Sequence, residues 1–201
     1  MLKSSRWVRN GAYEQLGPFI STLRSDQVST QFLKYYTNIP NLSSAEVDAD
    51  CVNHCAFNFP GVALALGKER WEELNETYNT LVRKSFKSRK TLACSVHEIC
   101  SILGTELTEK YLMPAIEFFL KDVDDVSIRG SILSNFSKIL RVFGDQKREE
   151  HLNTLWQLAS ESDVNWRFRC LLAELSPMKT IIVATQHYLR CFVVVCEQTI
   201  G

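Results

Sequence analysis

The chain has 201 residues, of which 45% are hydrophobic and 23% charged, and its 23 basic and 23 acidic side chains cancel. That composition belongs to a globular chain able to bury a core and excludes a disordered one. The zero net charge also excludes a global field that would draw the protein to nucleic acid or an anionic membrane.

At the start, MLKSSRWVRN offers no apolar core of signal-peptide length. The longest strongly apolar run, CFVVVC at 191–196, is too short to span a bilayer. The expected location is the cytoplasm, with the nucleus also open. In a reducing compartment the seven cysteines, most of them among apolar helical positions, are expected to be free thiols. The sequons at Asn41, Asn75 and Asn135 then carry no glycosylation.

The first helix is marked by Arg9: apolar residues follow at +3, +4, +7, +10, +11 and +14, namely Ala12, Tyr13, Leu16, Phe19, Ile20 and Leu23. These offsets trace one helix face. Between Thr37 and Asp50, TNIPNLSSAEVDAD breaks the rhythm and reads as a linker between hairpins. The same offsets then recur from Val52, giving Cys55, Ala56, Phe59, Val62, Ala63 and Leu66. A looser apolar face follows at Trp71, Leu74, Tyr78 and Leu81.

From Arg89 the strict pattern returns at Leu92, Ala93, Val96, Ile99, Cys100 and Leu103. A second loose set follows at Leu112, Ile116, Phe119 and Leu120. From Arg129 the strict offsets give Ile132, Leu133, Phe136, Ile139, Leu140 and Phe143, and the third loose set is Leu152, Leu155, Trp156 and Ala159. Arg169 opens one more strict unit with Leu172 and Ala173, but Ser176 then fills the apolar +7 position and Pro177 disrupts the helix.

The markers Arg89, Arg129 and Arg169 are 40 residues apart, and Arg9 precedes Arg89 by 80. Gly104 and Gly144, also 40 apart, sit where helices should end in a left-handed residue. A strict and a loose helix per period make a helical hairpin, which buries both apolar faces only by stacking on its neighbours. The fold class is therefore all-α: an α-α superhelix of HEAT/armadillo type with about four to five hairpins, a count read from the 40-residue period. One solenoid domain covers residues 5–175, and 176–201 form an atypical tail outside the repeat.

The basic and aromatic cluster DVNWRFR at 163–169 could suggest nucleic acid, since cations hold phosphate and rings stack on bases. The repeat gives it an architectural explanation. Arginine just inside each hairpin's second helix can bond carbonyls and carboxylates of the turns, its own or its neighbour's, forming a ladder along the stack. Candidate partners are Asp163 for Arg169 and Asp122 or Asp125 for Arg129, with Trp166 and Phe168 closing the hairpin tip.

DVNWRFRCLLAE and SSRWVRNGAYEQLG resemble the HEAT repeats of protein phosphatase scaffold subunits, as in phosphatase 2A. CAFNFPGVALALG at 55–67, then Trp71, Leu74 and Tyr78, and KSRKTLACSVHEICSILG at 87–104 more closely resemble the phosphatase 4 regulatory subunit 1 family. The resemblance spans about residues 6–175. It implies a non-catalytic subunit that binds a serine/threonine phosphatase catalytic subunit and directs it to phosphoprotein substrates. It also implies that the catalytic subunit sits on turns joining the two helices of a repeat, here 83–88, 121–127 and 160–167. Arg83, Lys87, Asp124, Trp166 and Arg167 are the candidate contacts.

Other chemistry is weaker. HEIC at 97–100 begins like a zinc-protease helix but lacks the second histidine on the same face. Cys51, His54 and Cys55 are spaced to share a helical face, yet a fourth ligand is not evident nearby and Cys55 falls on a core offset. The glycines are single, so no phosphate-cradling loop exists, and no cofactor is implied. DVDD at 122–125 and KSFKSRK at 84–90 read as solvated hairpin tips. Two rival functions share these residues: a HEAT adaptor in transport or trafficking, and a metal-dependent enzyme using Cys51, His54, Cys55 and His97.

Overall fold

A computed structural model describes residues 5–46, 48–121 and 126–160. Its helices are α1 (Arg6–Ser21), α2 (Thr30–Thr37), α3 (Ala49–Leu66), α4 (Glu72–Lys84), α5 (Phe86–Leu107), α6 (Met113–Leu120), α7 (Val126–Leu140) and α8 (Asp145–Ser160). Among the described residues there is no strand. The odd-numbered helices stack side by side, α1 on α3, α3 on α5 and α5 on α7. These are the helices of the strict offsets. The even-numbered helices form a second layer, so the chain is an all-α stack of hairpins.

Burial follows the offsets in three of the four strict units. All six positions counted from Val52, from Arg89 and from Arg129 are buried, most of them at 3% exposure or less. In α1 the pattern is only half used: Ile20 is buried and Tyr13, Leu16 and Leu23 pack partly on the core. Ala12 and Phe19 are exposed, Phe19 by 54%. The physical reason is that α1 has a described neighbour layer, α3, on one flank only.

The linker expected between hairpins at 37–50 lies elsewhere in the plan. It is the turn inside a hairpin, joining the short helix α2 to α3. Ser29 caps α2 by accepting from the Phe32 amide at 3.2 Å, and the buried Tyr36 donates to the Cys55 carbonyl at 2.7 Å, tying α2 to α3. Eight residues are too few for a visible period, which hid this helix in the sequence.

Two glycines allow the first layers to approach closely. A Cβ at Gly17 would stand 2.6 Å from the Asn58 Cβ, and one at Gly61 would stand 2.7 Å from the Ser21 Oγ. Positive φ falls at Gly67 (φ 76), which ends α3, and at Gly104 (φ 74), which kinks α5 three residues before its end. Gly144 does not adopt that conformation. It precedes α8, where its carbonyl accepts from the Arg148 amide at 2.9 Å and starts the helix.

The turns between hairpins are held by guanidinium groups. Arg70 donates to the carbonyls of Ser25 at 2.7 Å and Val28 at 2.8 Å, while Glu73 holds its other nitrogens at 2.6 and 3.0 Å. Arg148 donates to Leu140 O at 3.1 Å and Phe143 O at 2.7 Å. Both arginines stand at or near the start of an even-numbered helix and satisfy carbonyls left open where a chain turns. The core beneath is aromatic: Phe59 lies 5.4 Å from Tyr78 and 6.1 Å from Trp71 between ring centroids. Such pairs add about 0.5–1.5 kcal/mol beyond their area burial.

Candidate partner-binding ridge

Stacking hairpins places their internal turns along one edge. Among the described residues this edge is built from the 38–48 turn, the corner at Ser85 and Lys121. The α4–α5 corner is tighter than the sequence suggested, because only Ser85 is outside a helix. Its backbone is extended (φ −142, ψ 159), and its hydroxyl accepts from the Ser88 amide at 3.1 Å, capping α5. So sharp a corner turns the flanking side chains outward. Arg83, Lys84 and Lys87 are exposed, and Phe86 is 40% exposed.

Of the five candidate contacts, Arg83 and Lys87 flank the Ser85 corner and are exposed. Asp124, Trp166 and Arg167 lie outside the described residues, as do Asp122, Asp125 and the Asp163–Arg169 pair offered for the arginine ladder. Ser88, the last residue of the expected 83–88 turn, is buried and donates to Asn53 at 3.3 Å. It is a structural link between layers rather than a contact.

The ridge also contains residues that the sequence reading passed over. A cleft of about 600 Å³ separates the first two turns, with Ser43, Asp48 and Asp50 on one wall and Lys84, Phe86 and Lys87 on the other. Lys87 Nζ faces Asp50 across it at 4.0 Å, with both side chains more than two-thirds exposed. Arg6 pairs with Asp48, which also accepts from Asn10, and Arg6 donates to Ser44 O at 3.2 Å. Arg9 donates to Glu46 O at 3.4 Å. The ladder expected of the marker arginine is thus present at the first step, where α1 grips its neighbour's turn. Glu46 is held below its usual carboxyl range by the backbone and hydroxyl of Ser43, each 2.8 Å from Oε2. Composition marks the 37–50 segment as a break in the helical rhythm, because Ser, Asp and Glu at this density cap and close turns, but it does not mark the break as a corner of the ridge.

The metal triad is not assembled. Cys51 and Cys55 are buried in the core while His54 is exposed, so the three do not share a face. Burial pushes the Cys55 and Cys100 thiols up to about 12, far from the thiolate form that binds metal or attacks carbon. Burial likewise raises the Cys51 thiol. Cys100 of HEIC is wholly buried, and His97 is a half-buried neighbour of the surface.

Layers that share a continuous core and present their corners in a row define a helical-repeat scaffold. Residues 55–158, from within α3 into α8, match the family model described as protein phosphatase 4 regulatory subunit 1 middle domain, and the chain belongs to that family. Similar relatives are the serine/threonine-protein phosphatase 4 regulatory subunit 1 of Homo sapiens, of Mus musculus and of Rattus norvegicus. Each is 41% identical over 152 residues, 74% of this chain. The chain spans 16% of the length of those relatives.

Proposed function

We propose that the chain is a non-catalytic scaffold segment that binds a serine/threonine phosphatase catalytic subunit of the phosphatase 4 type and directs it to phosphoprotein substrates. The observation that carries this reading is the family match across α3 to α8, the stretch that contains the Arg83–Lys87 corner. Arg83 and Lys87 supply exposed cations there, and Phe86 supplies an apolar contact beside them. The mechanism is positional. A scaffold that holds enzyme and substrate together turns their encounter into an intramolecular event at raised effective concentration. The working location is the cytoplasm and the nucleus.

Affinity capture of the chain from cells, followed by identification of bound proteins, tests the reading. A phosphatase catalytic subunit in the complex is the expected result. A complex of transport factors without any phosphatase catalytic subunit would overturn it in favour of a trafficking adaptor. The purified chain is expected to leave a phosphopeptide intact until the catalytic subunit is added.

A further inference from the structure

The outer face of the odd-numbered layer carries a second surface, distinct from the ridge. A groove of about 810 Å³ runs across three helices of this layer, with Pro60 and Leu64 of α3 at one side, Glu98, Ser101 and Ile102 of α5 on the floor, and Lys138 of α7 with Arg141, just past the end of α7, at the other side. Its two walls differ in chemistry. On α3, Leu64 is 69% exposed and Phe57, two turns earlier on the same stripe, is 72% exposed. Single exposed apolar residues are ordinary, but two in line beside a groove form an apolar rail.

The opposite wall is cationic. Lys138 and Arg141 are three residues apart and exposed, and Lys138 Nζ donates to the neutral Asn135 Oδ1 at 3.0 Å. Neither cation has a carboxylate partner among the described residues. The carboxylate in the groove, Glu98, belongs to the middle helix and stands 3.9 Å from His97. Negative charge on a ligand is therefore disfavoured over α5 and favoured over α7.

We propose that this groove binds an extended acidic peptide segment of a partner protein, with an apolar side chain on the Leu64–Phe57 rail and its acidic residues at Lys138 and Arg141. Packed helices are about 8–10 Å apart, so two steps from α3 to α7 cover about 16–20 Å. An extended chain rises about 3.3 Å per residue, which places the apolar anchor about five or six residues from the acidic group. The ridge reading is not needed for this, because the groove is complete within the chain and lies on another face.

The test measures fluorescence anisotropy of the full 201-residue chain with labelled peptides that carry one leucine and a run of three glutamates at spacings from two to eight residues. The expected result is tightest binding near a spacing of five or six. Combined Lys138→Glu and Arg141→Glu should weaken it at least about tenfold, Leu64→Ser should weaken it several-fold, and Lys34→Glu on the other layer should not change it. Circular dichroism confirms that each variant keeps its helices. Equal binding of a scrambled peptide of the same composition would reduce the groove to general charge attraction and overturn the proposal. Binding unaffected by the double reversal, or no binding by any spacing up to about 1 mM, would overturn it as well.

Discussion

At the scale of single residues, two buried tyrosines separate a made hydrogen bond from an absent one. The Tyr36 hydroxyl donates to Cys55 O at 2.7 Å, whereas the buried Tyr78 hydroxyl has no hydrogen-bond partner among the described residues. Removing a buried group that is bonded costs about 1 kcal/mol, and removing one that is not costs nothing or stabilises. Tyr36→Phe is therefore expected to lower stability by about 1 kcal/mol in urea unfolding, and Tyr78→Phe to leave it unchanged or raise it. Leu133 and Lys121 give a coarser contrast, because Leu133 is 1% exposed and Lys121 is on the surface. Leu133→Asp buries an unpaired charge and should cost several kcal/mol, lowering Tm by about 10 °C, while Lys121→Ala should shift it by about 1 °C or less. The buried positions of the three full strict units were all legible in the sequence, since a repeated offset marks the face that must be covered. Individual partners were not legible: the offset says that Tyr78 is inside, not what its hydroxyl meets.

At the scale of elements, the helix ends divide into those the 40-residue period foretold and those it did not. Gly104 and Gly144 look equivalent in sequence, yet only Gly104 has a positive φ, and a Cβ at Gly144 would meet nothing within 4 Å. Gly104→Ala is expected to destabilise by about 1–2 kcal/mol in thermal melts, and Gly144→Ala by less than about 0.5 kcal/mol. Equal effects would place the two turns in one conformation after all. Arg70 joins two layers by bonding Ser25 O, Val28 O and Glu73 at once. Arg70→Ala leaves two carbonyls without their charged donor and is expected to cost about 1.5–3 kcal/mol. No periodicity reveals such a joint, because a guanidinium that crosses layers is specified by the fold's geometry and not by spacing along the chain. Helix α2 and the turn after it were hidden for a related reason. Thr30–Thr37 is barely two turns long, and without it the 38–48 turn reads as a connector between hairpins instead of the corner of one.

At the scale of the molecule, repetition determines what the stack can do. Each added layer buries the face of its predecessor and adds one more corner to the same edge, so the ridge is a consequence of the period and not a separate design. Its cations were legible as a charge run at the end of a helical pattern, and the α4–α5 corner at Ser85 shows why they face outward. The facing acids at Asp48 and Asp50 were not, because they come from a turn 35 or more residues away that only stacking brings opposite Lys87. The central claim is that the exposed corner cations hold a phosphatase catalytic subunit. It is tested most directly by calorimetric titration of phosphatase 4 catalytic subunit into the chain and into the Arg83→Glu, Lys87→Glu double variant. Both positions are exposed, so reversal should leave the helical melt nearly unchanged while weakening binding at least about tenfold. Equal affinity of the two chains for the catalytic subunit would contradict the account.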